Sequence, residues 1–281
     1  MPALTHNKML GALRFAGHGL VLPEHFEDTA KAERDRYVAL LKPEERVAVP
    51  QLIPAWYKPA MPIGPHQKIC DTIGQGWKDL HDTMCDAVRH GHDMWRLQAK
   101  FAPMPIAGAA VSGQPQCLTG PPLEGLVLQY PACAAMSSSQ TPYRDAIAKG
   151  VSQAFAMWQA AVTVPGLPLF PAYSRQPQGP VVPATSVPQK LVACVSAQAD
   201  AIAGPSTMKR LMLTACAPGL RKDNPNLDPI LDAVSTVISL GFVQWLANQL
   251  VIGLMGTGAV ATAGGGPVVG MTRATSGNLV S

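Results

Sequence analysis

Four side chains in one stretch have the chemistry of metal ligands: His81, Cys85, His90 and His92. His81 and Cys85 stand four residues apart, about one helical turn, so a thiolate and an imidazole would share a face. Joined by His90 or His92, they would make a thiolate–imidazole zinc site. The spacing departs from the finger patterns, and a solvated helix face also accommodates such residues. Ser137-Ser138-Ser139 offers hydroxyls without the Gly-x-Ser-x-Gly elbow that makes one a nucleophile. Gly264-Gly265-Gly266 has the composition of a phosphate loop but no Gly-Lys-Ser/Thr after it. Lys209-Arg210 and Arg221-Lys222 are isolated basic doublets of the kind that solvent covers. The expectation is no catalytic residue, no cofactor, no metal and no small-molecule substrate.

The elements that would carry these groups are marked by an internal repeat. At a constant shift of 87, residues 141–182 align with 228–269 without a gap, giving 15 identities over 42 positions. The matches include Asp145/Asp232, Phe155/Phe242, Trp158/Trp245 and Gly166/Gly253, and they close on Gly179-Pro180-Val181-Val182 and Gly266-Pro267-Val268-Val269. A more diverged copy lies 63 residues earlier, where Asp82, Val88, Met94, Trp95 and Pro105 match. Gly120-Pro121-Pro122-Leu123 then stands for the closing signature, displaced by four. Each unit reads as a helix followed by an extended tail. Thr141-Pro142 and Asp228-Pro229 are expected as N-cap plus first helical residue, with Gly166 and Gly253 as the stops. The later copies lack the His/Cys set, so the unit folds without a metal.

The N-terminal third reads differently. Residues 24–41 form an amphipathic helix between Pro23 and Pro43. Residues 50–65 hold five prolines, which excludes a helix or an inner strand and leaves an extended arm. Trp56 and Tyr57 make that arm adhesive. Residues 1–100 hold 25 of the 40 charged side chains, which leaves residues 101–281 poor in charge. Such a segment needs a cover of protein or lipid. Val234–Leu254 is long enough to span a bilayer, but Gln244, Asn248 and Gln249 would be costly there. The matching helices also carry Lys149 in one copy and Asp86, Arg89, Asp93 and Arg96 in the other. Protein is therefore the expected cover, membrane the disfavoured one. Nucleic acid is not the expected partner at a net charge of +4. The first eight residues lack a signal-peptide core, and the six cysteines, with no CxxC pair, read as buried thiols.

The expected fold is mainly α with extended or β segments: three helix-plus-tail repeats with Pro-rich arms in a non-compact, interdigitating subunit. The divisions fall at 1–66 (helix and arm), 67–140 (first repeat), 141–187 (second), 188–226 (an inserted helical segment) and 227–281 (third repeat and a Gly-rich tail). Helices of the Asp145-Ala146-Ile147…Trp158 kind, the Gly-Pro-Val-Val tails, the Pro-rich arm and the Gly/Ser/Thr terminus together resemble structural proteins of tailed-bacteriophage virions. The resemblance implies a subunit of a large symmetric assembly, with tail or baseplate ahead of capsid or neck. It would be located in the virion, and its partners would be copies of itself and other virion proteins. Trp95, Trp158, Trp245, Phe155, Phe242, Trp56 and Tyr57 are expected at its packing interfaces. The alternative is a membrane-active protein that inserts its C-terminal apolar helix.

Overall fold

Prolines and tertiary partners together set where the helices begin. The computed structural model describes residues 4–18, 64–107, 110–168, 182–185, 189–191, 194–222, 224–251, 254–260, 268–272 and 279–280. The expected helix at 24–41, the arm to residue 63 with Trp56 and Tyr57, Gly179–Val181 and Gly264–Gly266 lie outside these residues. After α1 (Lys8–His18) comes the long α2 (Gly64–Gln98). It starts inside the stretch assigned to the arm, because Pro65 falls in the first turn, where no backbone N–H is needed. In α5 (Thr141–Ala160) and α9 (Leu227–Asn248) the expected caps lie inside the helix. Thr141 Oγ1 donates to the Ser137 carbonyl, and Asp228 is held by Lys209 at 3.1 Å. Neither helix has a side-chain cap.

The helices stop shortly after their tryptophans and not at the expected glycines. The Ala99 and Gln249 N–H groups each donate 2.7 Å back to the carbonyls of Trp95 and Trp245, and the chain then extends. Gly166 lies inside a strand, at φ +148°, a conformation that a side chain would strain.

Three inner helices carry the same buried stripe at matched positions. These are Met84, Val88 and Trp95 on α2, Ile147, Val151 and Trp158 on α5, and Val234, Ile238 and Trp245 on α9. Each groove between two inner helices receives another helix. The helix α3 (Leu123–Leu128) packs on α2 and α5, α7 (Pro205–Ala215) on α5 and α9, and α1 on α9 and α2. The short helices α4 (Pro131–Ala134), α6 (Ala199–Ala203) and α8 (Pro218–Arg221) complete the helical set. The inserted segment thus contains α6, α7 and α8, with a strand ahead of them. At Gly150 on α5 a Cβ would lie 2.5 Å from the Met212 Cα and 2.6 Å from its backbone nitrogen on α7. Gly150→Ala is therefore expected to force the two helices apart and cost about 1–3 kcal/mol. A urea titration that gives an unchanged midpoint would contradict this.

The strands form an antiparallel meander. The strands β2 (Pro105–Ala107), β3 (Ala110–Gly113), β5 (Val164–Pro168), β6 (Val182–Thr185), β9 (Met255–Val260) and β10 (Val268–Thr272) make a six-stranded sheet in the order β5-β3-β2-β10-β9-β6. Its first and last strands in sequence, β2 and β10, pair with each other through Ile106↔Gly270. The two edges, β5 and β6, are consecutive in the chain. A second tier pairs β1 (Lys100–Phe101) with β4 (Leu118–Thr119), and β8 (Leu250–Val251) with both β7 (Gln189–Lys190) and β11 (Leu279–Val280).

Two expectations are corrected here, and the described parts of the tail are placed. Gly120-Pro121-Pro122-Leu123 leads into α3, and the strand that follows β2 in the first unit is Ala110–Gly113. The described parts of the C-terminal tail are strands, since Thr272 Oγ1 takes the Met104 N–H and Leu279 pairs with Val251. The described helices also share one continuous hydrophobic core, where the sequence leads one to expect a non-compact subunit. The matched helices bury their stripes against one another.

Candidate functional site

The centre of that core is a cluster of six rings, two from each inner helix. Trp95, Trp158 and Trp245 meet with centroids 6.4, 6.3 and 5.6 Å apart, all at steep interplanar angles. Three residues before each stands a second ring: Phe155, Phe242 and, at the same alignment shift, His92. Edge-to-face contacts dominate, as ring quadrupoles prefer: Trp95–Phe155 at 4.7 Å and 83°, and His92–Trp245 at 4.4 Å and 80°. The indole N–H of Trp95 donates to Gln159 Oε1 at 3.0 Å, and that of Trp245 to Gln249 Oε1 at 2.7 Å. These residues are fully or almost fully buried within the one chain. The three matched helices thus bury these rings against one another within the chain.

His92 is the anomaly of the cluster. It is wholly buried, and neither ring nitrogen has a hydrogen-bond partner. Burial, with the charge of Arg96 and the nearness of His6 adding to it, holds its pKa well below the usual histidine value. The ring is therefore neutral and fills an aromatic position.

The other candidate ligands do not converge on it. Cys85 Sγ lies 3.9 Å from His81 Nε2, and both side chains are buried where α2 faces α1. His81 Nδ1 is 3.1 Å from Asp82 Oδ1, and burial pushes the Cys85 thiol far up, against the thiolate a metal needs. His90 stacks obliquely against Tyr130 instead, with centroids 5.6 Å apart. Among the described residues no three His, Cys, Asp or Glu side chains are placed to share an ion. Cys85, Cys117, Cys133, Cys194 and Cys216 are all free and buried.

One residue that the sequence did not single out joins this region. The N-terminal segment lays His6 over α2 and α9, where its Nδ1–H donates 2.8 Å to the Cys85 carbonyl. Its Nε2 is shielded and unpaired. Gly241 makes the approach possible, since a Cβ there would stand 2.7 Å from the imidazole. Burial lowers the His6 pKa to about 4 against the pull of that hydrogen bond. Nothing in local spacing marks His6, because its partners lie far along the chain.

The remaining polar features are used structurally. Lys209 holds Asp228 and Asp232, and Arg221 donates to the Cys216 and Thr214 carbonyls. A groove of about 340 Å³ beside Trp77 and Tyr143 is edged by Ser137, Ser139 and Gln140, with no carboxylate or imidazole in its lining. Ser137 Oγ is occupied with Ser139 and Gln140. The thiol–imidazole contact of Cys85 with His81 is not part of that lining, and burial keeps its thiol protonated. No protein-family model matches the chain, and neither curated proteins nor solved structures give a match.

Proposed function

We propose that this chain is a non-enzymatic structural subunit of a large symmetric assembly, a bacteriophage virion with tail or baseplate ahead of capsid or neck. The observation that carries this reading is cyclic. Three sequence-matched helices meet ring to ring at one centre, three further helices fill the grooves between them, and each of the three units contributes two strands to one meander. We read the arrangement as three copies of one module around a pseudo-threefold axis. One chain then presents three similar faces, which suits a position among symmetric copies of itself or of other virion proteins. Its inner apolar surface is spent on its own core, so contacts to neighbours fall to exposed side chains.

Leu97, 68% exposed, and Val195, 58% exposed, are such side chains. Leu97→Asp combined with Val195→Asp is expected to reduce assembly at least tenfold, measured as mass by light scattering and as incorporation into imaged particles. The thermal midpoint should not change, because neither side chain supports the core. A folded monomer that never joins a particle, with or without these changes, would overturn the reading.

Insertion of α9 into lipid is the weaker alternative. The helix is long and apolar enough to span a bilayer, yet two thirds of its most apolar window is buried in protein. Insertion would have to withdraw Phe242 and Trp245 from the ring cluster. Flotation with liposomes, abolished by Val243→Asp, would favour it.

A further inference from the structure

We propose that the segment Leu4–His18 is an acid-released latch over the groove between α2 and α9, with His6 as its trigger. The segment is clamped along its length. Thr5 Oγ1 donates to Gln244 Oε1 at 3.2 Å, Lys8 pairs with Asp86 at 2.8 Å, and Arg14 pairs with Asp232. Gly11 passes directly over His81 and Val237, and Leu4 and Phe15 are buried. The helices that fill the other two grooves, α3 and α7, contain no histidine.

His6 sits where a cation is poorly received. From α2 it meets the Cys85 carbonyl, Arg89, His81, His92 and Asp86, and the one acid among these is already engaged by Lys8 and Arg89. From α9 it meets Gly241, and the acid of that helix that faces the segment, Asp232, is held by Arg14 and by His18 at 3.5 Å. A proton on His6 would create a second N–H with no acceptor, at Nε2. His81 lies under Gly11, between Lys8, Lys78 and Asp82, and burial lowers its pKa in the same direction.

The sign follows from these placements. Bound, His6 titrates near 4, and in a released segment near 6.5. Latch closure is therefore complete above about pH 6.5 and weakens as pH falls, by about 160-fold at pH 4 and by at most about 300-fold in stronger acid, from this one proton. Burial pushes Asp232 up, but Arg14, Lys209 and His18 outweigh it and hold its carboxyl below the usual range. The ion pair to Arg14 thus outlasts the trigger as pH falls.

Hydrogen exchange of the full chain tests the latch, in a His92→Phe background that removes the central histidine. After correction for intrinsic rates, protection of residues 4–18 should fall about 20-fold between pH 6 and pH 4.5, while α5 and α7 keep theirs. His6→Gln should flatten that slope. Should His6→Gln unlatch already at pH 7.5, the size of the fall in the background chain decides the matter. A disulfide joining Thr5→Cys to Gln244→Cys should hold the segment shut at pH 4.5. Protection that persists at pH 4.5 without the disulfide, or that disappears together with α5 and α7, would overturn the latch. So would a slope that survives His6→Gln.

Discussion

Trp245→Ala is expected to lower the stability of the chain by about 3–5 kcal/mol, read as a shift of the urea midpoint at constant slope. Trp245 touches His92, Trp95, Phe155, Trp158 and Phe242, rings from all three inner helices. Its truncation would open a cavity that no single helix can close by shifting, since each neighbour is fixed by the other two. It would also strip Gln249 Oε1, a fully buried side chain, of the indole N–H it accepts. Trp77→Ala is the control. Trp77 is only partly buried at the edge of the core, against Phe15 and Tyr143, and its loss should cost clearly less. Equal costs for the two would show that the ring cluster is not the energetic centre of the fold.

His92→Phe is expected to act in the opposite sense. The two matched positions already hold phenylalanine, and the pocket gives the imidazole nitrogens nothing to bond. Removing an unpaired buried polar group should stabilise the chain by about 1–3 kcal/mol at pH 8. The gain should grow in acid. His92 is neutral in the fold, while the unfolded chain takes up its proton near pH 6.5. Below that value the unfolded state binds more protons than the native one, and stability falls with pH. The phenylalanine variant lacks that limb, so at pH 5 its advantage should be larger by about 2 kcal/mol. Paired denaturation curves at pH 8 and pH 5 measure both quantities. An advantage no larger at pH 5 than at pH 8 would mean that the native state accommodates the imidazolium after all.

The centre of the fold was legible because its determinants recur along the chain. Tryptophan at a fixed distance from aspartate, with phenylalanine three residues before it in two copies, located the helices and their buried faces. What the spacing could not indicate was whose surface those faces meet, and they meet one another. His92 was weighed only as a candidate ligand, from its side-chain type. Its place opposite Phe155, at the shift that matches Trp95 with Trp158, is the feature that accounts for its packing. Helix ends were less legible, because the side chains that local chemistry assigns to capping are used otherwise: Thr141 bonds back to the Ser137 carbonyl, and Asp228 is taken by Lys209. The sheet was least legible. Strands such as β9, with Gly256 and Gly258 among its residues, lack the alternating pattern from which pairing is read. Their partners come from other units. His6 shows the limit of local reading: its role exists only once residues 79 positions apart are brought within 2.8 Å.

The pairing of β2 with β10 also governs how the protein is made. Ile106 cannot find Gly270 until the ribosome has delivered everything between them, so the sheet stays open while α3 to α9 are made. Until then β2 offers an unpaired edge. Contacts so distant in sequence slow folding, and the helical units that emerge first must remain soluble in the meantime with their tryptophans only partly covered. For a protein read as a component of a larger particle, this delay sets an order of events: a subunit competent to assemble exists only once its own last strand has arrived.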